Sequence, residues 1–106
     1  MLNPAQSTNG YKLASSYSQA YSNAVSDICV VMNFTADGNK FACSVVIPKD
    51  EIGATIVNYL GGAYLISGGT SYIAYCQVKV STSTSSASVY WNNTGIAYDS
   101  IKYYYR

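Results

Sequence analysis

The chain contains no histidine. Without an imidazole there is no Ser-His or Cys-His pair in which a base activates a nucleophile. There is a single glutamate, Glu51, so a glycosidase-type carboxylate pair would need it beside a distant aspartate. No enzyme activity is expected. Three cysteines with no Cys-x-x-Cys and no histidine leave no ligand set for structural zinc. Calcium needs clustered oxygen ligands, and only Asp50 and Glu51 are adjacent, at a spot that reads as a solvated turn. Metal ions and cofactors are therefore not expected.

Charge is equally scarce. Only 10% of residues are ionic, and six Lys or Arg against five Asp or Glu leave a net +1. Such a surface has no electrostatic footprint for nucleic acid or anionic lipid. No stretch approaches the roughly 18 apolar residues of a membrane span, and the first ten residues lack a basic segment followed by an apolar run. Neither nucleic acid nor a membrane is an expected partner. Pro4 with the neighbouring Ser, Thr, Asn and Gly makes residues 1–10 a flexible lead-in, of the sort left when a domain is cut from a longer protein. Residues 11–106 then form one domain with one core.

What the chain has in quantity is Ser, Tyr, Gly and Asn, with 12 tyrosines against two Phe and one Trp. Antibody paratopes use the same palette for adaptable hydrogen bonding and rigid amphipathic contact. A β-rich surface poor in charge is the plainer reading of the same composition.

Hydrophobicity alternates with period two. Ile28, Val30, Met32 and Phe34 share one strand face, Asp37-Gly38 is a two-residue hairpin signal, and Phe41, Cys43, Val45 and Ile47 alternate in the next strand. The turn fixes the register: Phe34 opposite Phe41, Met32 opposite Cys43, Val30 opposite Val45, Ile28 opposite Ile47. The other face carries Cys29, Val31 and Asn33 opposite Val46, Ser44 and Ala42. Pro48 ends the strand, and Lys49 to Gly53 make a turn or a single helical turn.

A second hairpin turns at Gly68-Gly69, placing Leu65 opposite Tyr72 and Ala63 opposite Ala74. Tyr72, Ala74, Cys76, Val78 and Val80 face inward, whereas Tyr75 and Tyr64 face outward. Ser81 to Ser86 reads as a mobile loop. Two further strands flank "NNTG", with Ala87, Val89, Trp91, Ile101, Tyr103 and Tyr105 inward and Tyr90 and Tyr104 outward. In residues 11–25, Tyr17, Ala20, Tyr21 and Ala24 would suit a short helix. The interspersed Ser and Asn favour an irregular edge strand instead. The expected fold is all-β, a small antiparallel β-sandwich with jelly-roll-like topology.

The hairpin register separates Cys29 from Cys43 on opposite faces, so those two cannot bridge. Cys43 and Cys76 could meet if the sheets face each other there; three small buried thiols are the plainer reading.

Function then rests on surface rings. Outward Tyr64, Tyr75, Tyr90 and Tyr104 could pack against another copy of the chain. Trp91 or Tyr98 could stack on a saccharide while Asn92, Asn93 and Asp99 hydrogen-bond its hydroxyls. The rings could also simply decorate a sandwich sheet.

An apolar hairpin ending in "VVIPK", a Gly- and Tyr-rich strand pair, a Ser/Thr-rich strand and a last strand stopping on "YYYR" together resemble the small C-terminal domains of tail-fibre or baseplate proteins from phages and prophages of Gram-positive bacteria. The resemblance spans about residues 25–106 and rests on the order of short patterns. It implies a β-sandwich head at the fibre tip of the virion, assembled as a homotrimer, that attaches the particle to cell-surface carbohydrate or another receptor. It assigns no binding residues.

Overall fold

A computed structural model describes residues 10–67 and 69–106, with the backbone alone at 63–67 and 70. The expected lead-in at residues 1–9 and the turn residue Gly68 lie outside the described residues. Among the described residues there are eight strands: β1 (Lys12–Ala14), β2 (Asp27–Ala36), β3 (Asn39–Pro48), β4 (Val57–Ser67), β5 (Thr70–Val80), β6 (Ser85–Trp91), β7 (Thr94–Ile96) and β8 (Ser100–Tyr105). The helix α1 (Tyr17–Asn23) and a short 3-10 turn at Lys49–Glu51 accompany them. The strands make two antiparallel four-stranded sheets, ordered β1-β8-β2-β3 and β4-β5-β6-β7, which pack as a β-sandwich.

The class is the expected one, but the winding differs from a jelly roll. In a jelly roll two Greek keys carry the chain repeatedly from one sheet to the other. Here the tight turns between β2 and β3, β4 and β5, and β6 and β7 keep consecutive strands as neighbours, so the second sheet is a plain meander. The chain changes sheet only between β3 and β4 and between β7 and β8.

Both hairpin registers match the alternation of the sequence. Ile28 lies opposite Ile47 and Phe34 opposite Phe41, and Leu65 opposite Tyr72 and Ala63 opposite Ala74. Asp37 and Gly38 take φ of 52° and 75°, and Asn92 and Asn93 take 49° and 65°, so both turns are left-handed two-residue loops whose twist suits a hairpin. The core joins Ile28, Val30, Met32, Phe34, Cys43, Val45 and Ile47 of the first sheet to Ala74, Cys76, Val78, Val80 and Val89 of the second. Each Val or Ile sealed there contributes about 1.5–3 kcal/mol.

Residues 11–25 form a short edge strand and then a helix, not an irregular strand throughout. Ser16 caps the helix by accepting a hydrogen bond from the Gln19 N–H at 3.1 Å, while Gln19 Oε1 accepts from the Ser15 N–H. Burying Tyr17 and Ala20 outweighs the weak propensity of the Ser residues, which stay on the solvent side. The helix plugs one end of the sandwich. Its Tyr17 hydroxyl donates to the Ser81 carbonyl at 2.8 Å, and Lys49 crosses the Tyr21 ring to donate to the Ala24 carbonyl at 2.6 Å.

Ser81 to Ser86 is likewise more ordered than its composition suggests. Ser81 is buried, its hydroxyl accepts from the Ser83 and Thr84 N–H groups, and its own N–H donates to the Thr84 carbonyl, closing a tight turn into β6. The segment "NNTG" carries an additional strand, β7, between the two expected there.

Candidate functional site: the hairpin end of the sandwich

The turns at 37–38 and 92–93 lie at the end of the sandwich opposite the helix, and aromatic side chains line that end. Phe34 stacks on Phe41 with centroids 5.3 Å apart, Phe41 meets Trp91 at 5.2 Å, and Trp91 stacks on Tyr72 at 5.1 Å. The row crosses from the first sheet to the second. Phe34 is sealed in the core, whereas Phe41, Trp91 and Tyr72 are half-buried.

Beside this row, Asn33, Lys40 and Asp99 join Phe34, Phe41 and Ala42 around an open depression of about 380 Å³. The strand register assembles it. Thr35 lies opposite Lys40 across the β2–β3 turn, and Asn33 lies opposite Ser100, the residue after Asp99. Asp99 is anchored by its N–H to the Asn33 carbonyl at 2.7 Å and accepts from the Thr35 hydroxyl at 2.7 Å. Asn33 donates to the Ser100 hydroxyl at 3.2 Å. A carboxylate, an amide and an ammonium around an open depression can pair with sugar hydroxyls, and the half-buried rings at the same end of the sandwich can stack on a sugar ring.

The five residues expected to contact a saccharide are divided. Trp91 and Asp99 both border this end, linked through Phe41. Asn92 is occupied structurally: its N–H donates to the Ile73 carbonyl at 2.8 Å and its Oδ1 accepts from the Ile73 N–H at 3.0 Å. Asn93 is the exposed second residue of the turn. Tyr98 lies elsewhere, lining a shallow groove of about 470 Å³ with Tyr90, Gly95 and Ser88. Phe41 and Tyr72 read from parity as core residues and so escape notice as ligands. The pairing of Thr35 with Lys40 next to two phenylalanines is the sequence signal that could have found the depression.

The four expected interface tyrosines also separate. Tyr75 and Tyr90 face outward from β5 and β6, stacked at 4.7 Å with planes 15° apart. Gly62 and Gly95 flank them in the same cross-strand row, and Leu60 (71% exposed) and Ile73 (41%) extend the apolar surface. Tyr64 pairs with Ile73 through its backbone, but its side chain lies outside the described set. Tyr104 must be corrected. It does lie on the outer face of its sheet, yet only 6% of it is exposed, because Tyr11 folds over Tyr104, Cys29 and Val31. The Arg106 guanidinium in turn covers the Tyr11 ring at 4.6 Å while pairing with Asp27 at 3.2 Å. Burial, then the neighbouring Asp27, pushes the Tyr11 phenol well above its ordinary range.

Glu51 is held by the Tyr59 hydroxyl at the plugged end, far along the sandwich from Asp99, so the two do not form a carboxylate pair. Among the described residues no three His, Cys, Asp or Glu side chains group to hold a metal ion, and no helix is long and apolar enough to cross a membrane. Comparison with protein-family models, with curated proteins and with solved structures gives no match.

Proposed function

We propose that this domain is a non-enzymatic host-attachment module that recognises cell-surface carbohydrate at its hairpin end and works as a homotrimer at the tip of a phage tail fibre. The observation that carries the reading is the half-buried row Phe41–Trp91–Tyr72 beside the depression bordered by Asn33, Lys40 and Asp99. Weak individual sugar contacts gain avidity when several heads engage one surface, which is what trimerisation supplies. Trp91 is the single tryptophan of the chain, so its emission reports on that end alone. Titration with bacterial cell-wall oligosaccharides should shift it saturably, and a glycan array should give discrete signals. A silent array together with unchanged emission would overturn the proposal.

One observation favours a second reading, a purely structural assembly module. The Tyr75–Tyr90 stack with exposed Leu60 and Ile73 is a surface suited to another protein rather than to sugar. That reading predicts a defined oligomer with no saccharide response.

A further inference from the structure

Cys43 of β3 and Cys76 of β5 point into the same core from opposite sheets, with Cys76 directly opposite Gly61 in the β4–β5 ladder. Both converge on Gly61. The Cys43 thiol donates to the Gly61 carbonyl at 3.3 Å, and the Cys76 Sγ stands 3.4 Å from where a Gly61 β-carbon would be. Because Gly61 has no side chain, β4 comes against the Ser44 carbonyl of β3, and the sheets draw together at this seam more closely than the roughly 10 Å usual for stacked sheets. A close approach of that kind is what a disulfide between facing sheets requires.

Access to the pair is also built in. Cys43 lines a cavity of about 130 Å³ with Ser44, Gly62 and Phe41 at the same seam, room enough for a molecule the size of peroxide. Cys29, by contrast, is sealed on the far face of the first sheet beneath Tyr11, away from both partners.

We propose that Cys43 and Cys76 are a built-in pair that hydrogen peroxide converts to a cross-sheet disulfide, locking the two sheets of the sandwich together. The Cys43 thiolate attacks one peroxide oxygen; the O–O bond breaks, and the departing hydroxide takes up a proton to become water. The Cys76 sulfur then attacks the Cys43 sulfenic sulfur. The S–O bond breaks, hydroxide leaves with the Cys76 proton as a second water, and the S–S bond forms. The two sulfurs together lose two electrons, which peroxide gains. The order of attack follows access: Cys43 lines the cavity at the seam, whereas Cys76 is fully buried behind it.

The test uses the whole chain. After treatment with hydrogen peroxide and denaturation, alkylation should label one thiol instead of three, and the intact mass should fall by two hydrogens. Peptide mapping should join Cys43 to Cys76, with Cys29 alkylated, and dithiothreitol should restore all three thiols. The oxidised protein should also unfold at a higher urea concentration than the reduced one. Three labelled thiols, oxygen added to Cys43 without a link, a bond between chains, or a lowered urea midpoint would each overturn the proposal.

Discussion

The backbone of Gly61 lies so close to the Ser44 carbonyl that a β-carbon on Gly61 would stand 2.5 Å from that oxygen. The obstacle is main chain in a paired strand, which cannot rotate aside. Gly61→Ala should therefore force β4 away from β3 and cost about 1–3 kcal/mol, the usual range for overpacking a closed site. Gly53→Ala is the control, since nothing lies within 4 Å of its added carbon. Urea unfolding of both variants checks this, and a Gly61→Ala midpoint matching that of Gly53→Ala would refute the close approach.

Tyr17 ties the helix to the mouth of the sandwich through its hydrogen bond to the Ser81 carbonyl. Tyr17→Phe keeps the ring contacts with Tyr21 and Tyr103 but leaves a buried carbonyl without its donor. The expected loss is about 1–2 kcal/mol. It should be visible as a lowered urea midpoint at neutral pH.

The same phenol predicts alkaline sensitivity. Burial, with Tyr21 and Tyr103 nearby, pushes the Tyr17 phenol up to about 12, and partial burial with the Glu51 hydrogen bond pushes Tyr59 to about 12. Below pH 10 both folded and unfolded chains hold these protons, so the contribution to stability is complete. Between about 10 and 12 the folded chain keeps protons that the unfolded chain has lost, and stability falls as pH rises. Urea midpoints across that window should decline, and less steeply in Tyr17→Phe. Equal slopes in the two proteins would remove Tyr17 as a cause.

Strand pairing was legible because a two-residue turn and strict alternation leave no freedom of register: once Asp37-Gly38 turns, Phe34 must meet Phe41. The helix was not, because the interspersed Ser and Asn favour an irregular strand in a local reading, while burial of Tyr17 and Ala20 decides the matter through distant contacts; Ser16-x-x-Gln19 is the capping signature that the local reading left unused. Parity placed Tyr104 on the correct face but could not say that Tyr11, from the far end of the chain, would cover it. The candidate site was half legible for the same reason. Trp91 and Asp99 carry chemistry that composition flags, whereas their association through Phe41 exists only once the two sheets face each other.

Outward Leu60 should matter to association and not to folding. At 71% exposed it contributes little to the isolated domain, so Leu60→Lys should change stability by no more than about 0.5 kcal/mol. If the stacked face of Tyr75 and Tyr90 joins subunits, the native chain should sediment near three times 11.4 kDa and Leu60→Lys should shift toward the single-chain mass. A native protein that sediments as one chain at every concentration would remove the trimer from the reading.

Asp99 offers the cleanest division between fold and recognition. Its anchoring hydrogen bond to the Asn33 carbonyl comes from its own backbone N–H, which substitution leaves in place, and the amide introduced by Asp99→Asn would still present an oxygen to the Thr35 hydroxyl. Asp99→Asn should therefore fold with a midpoint within about 1 kcal/mol of native. A carboxylate accepts charge-assisted hydrogen bonds from sugar hydroxyls that an amide accepts more weakly, so saccharide affinity read from Trp91 emission should fall about tenfold, the equivalent of one such bond. Lys40→Ala, across the same depression, should weaken binding in the same direction. If both variants bind as the native chain does, the ligand sits elsewhere, and the Tyr90–Tyr98 groove becomes the surface to mutate next.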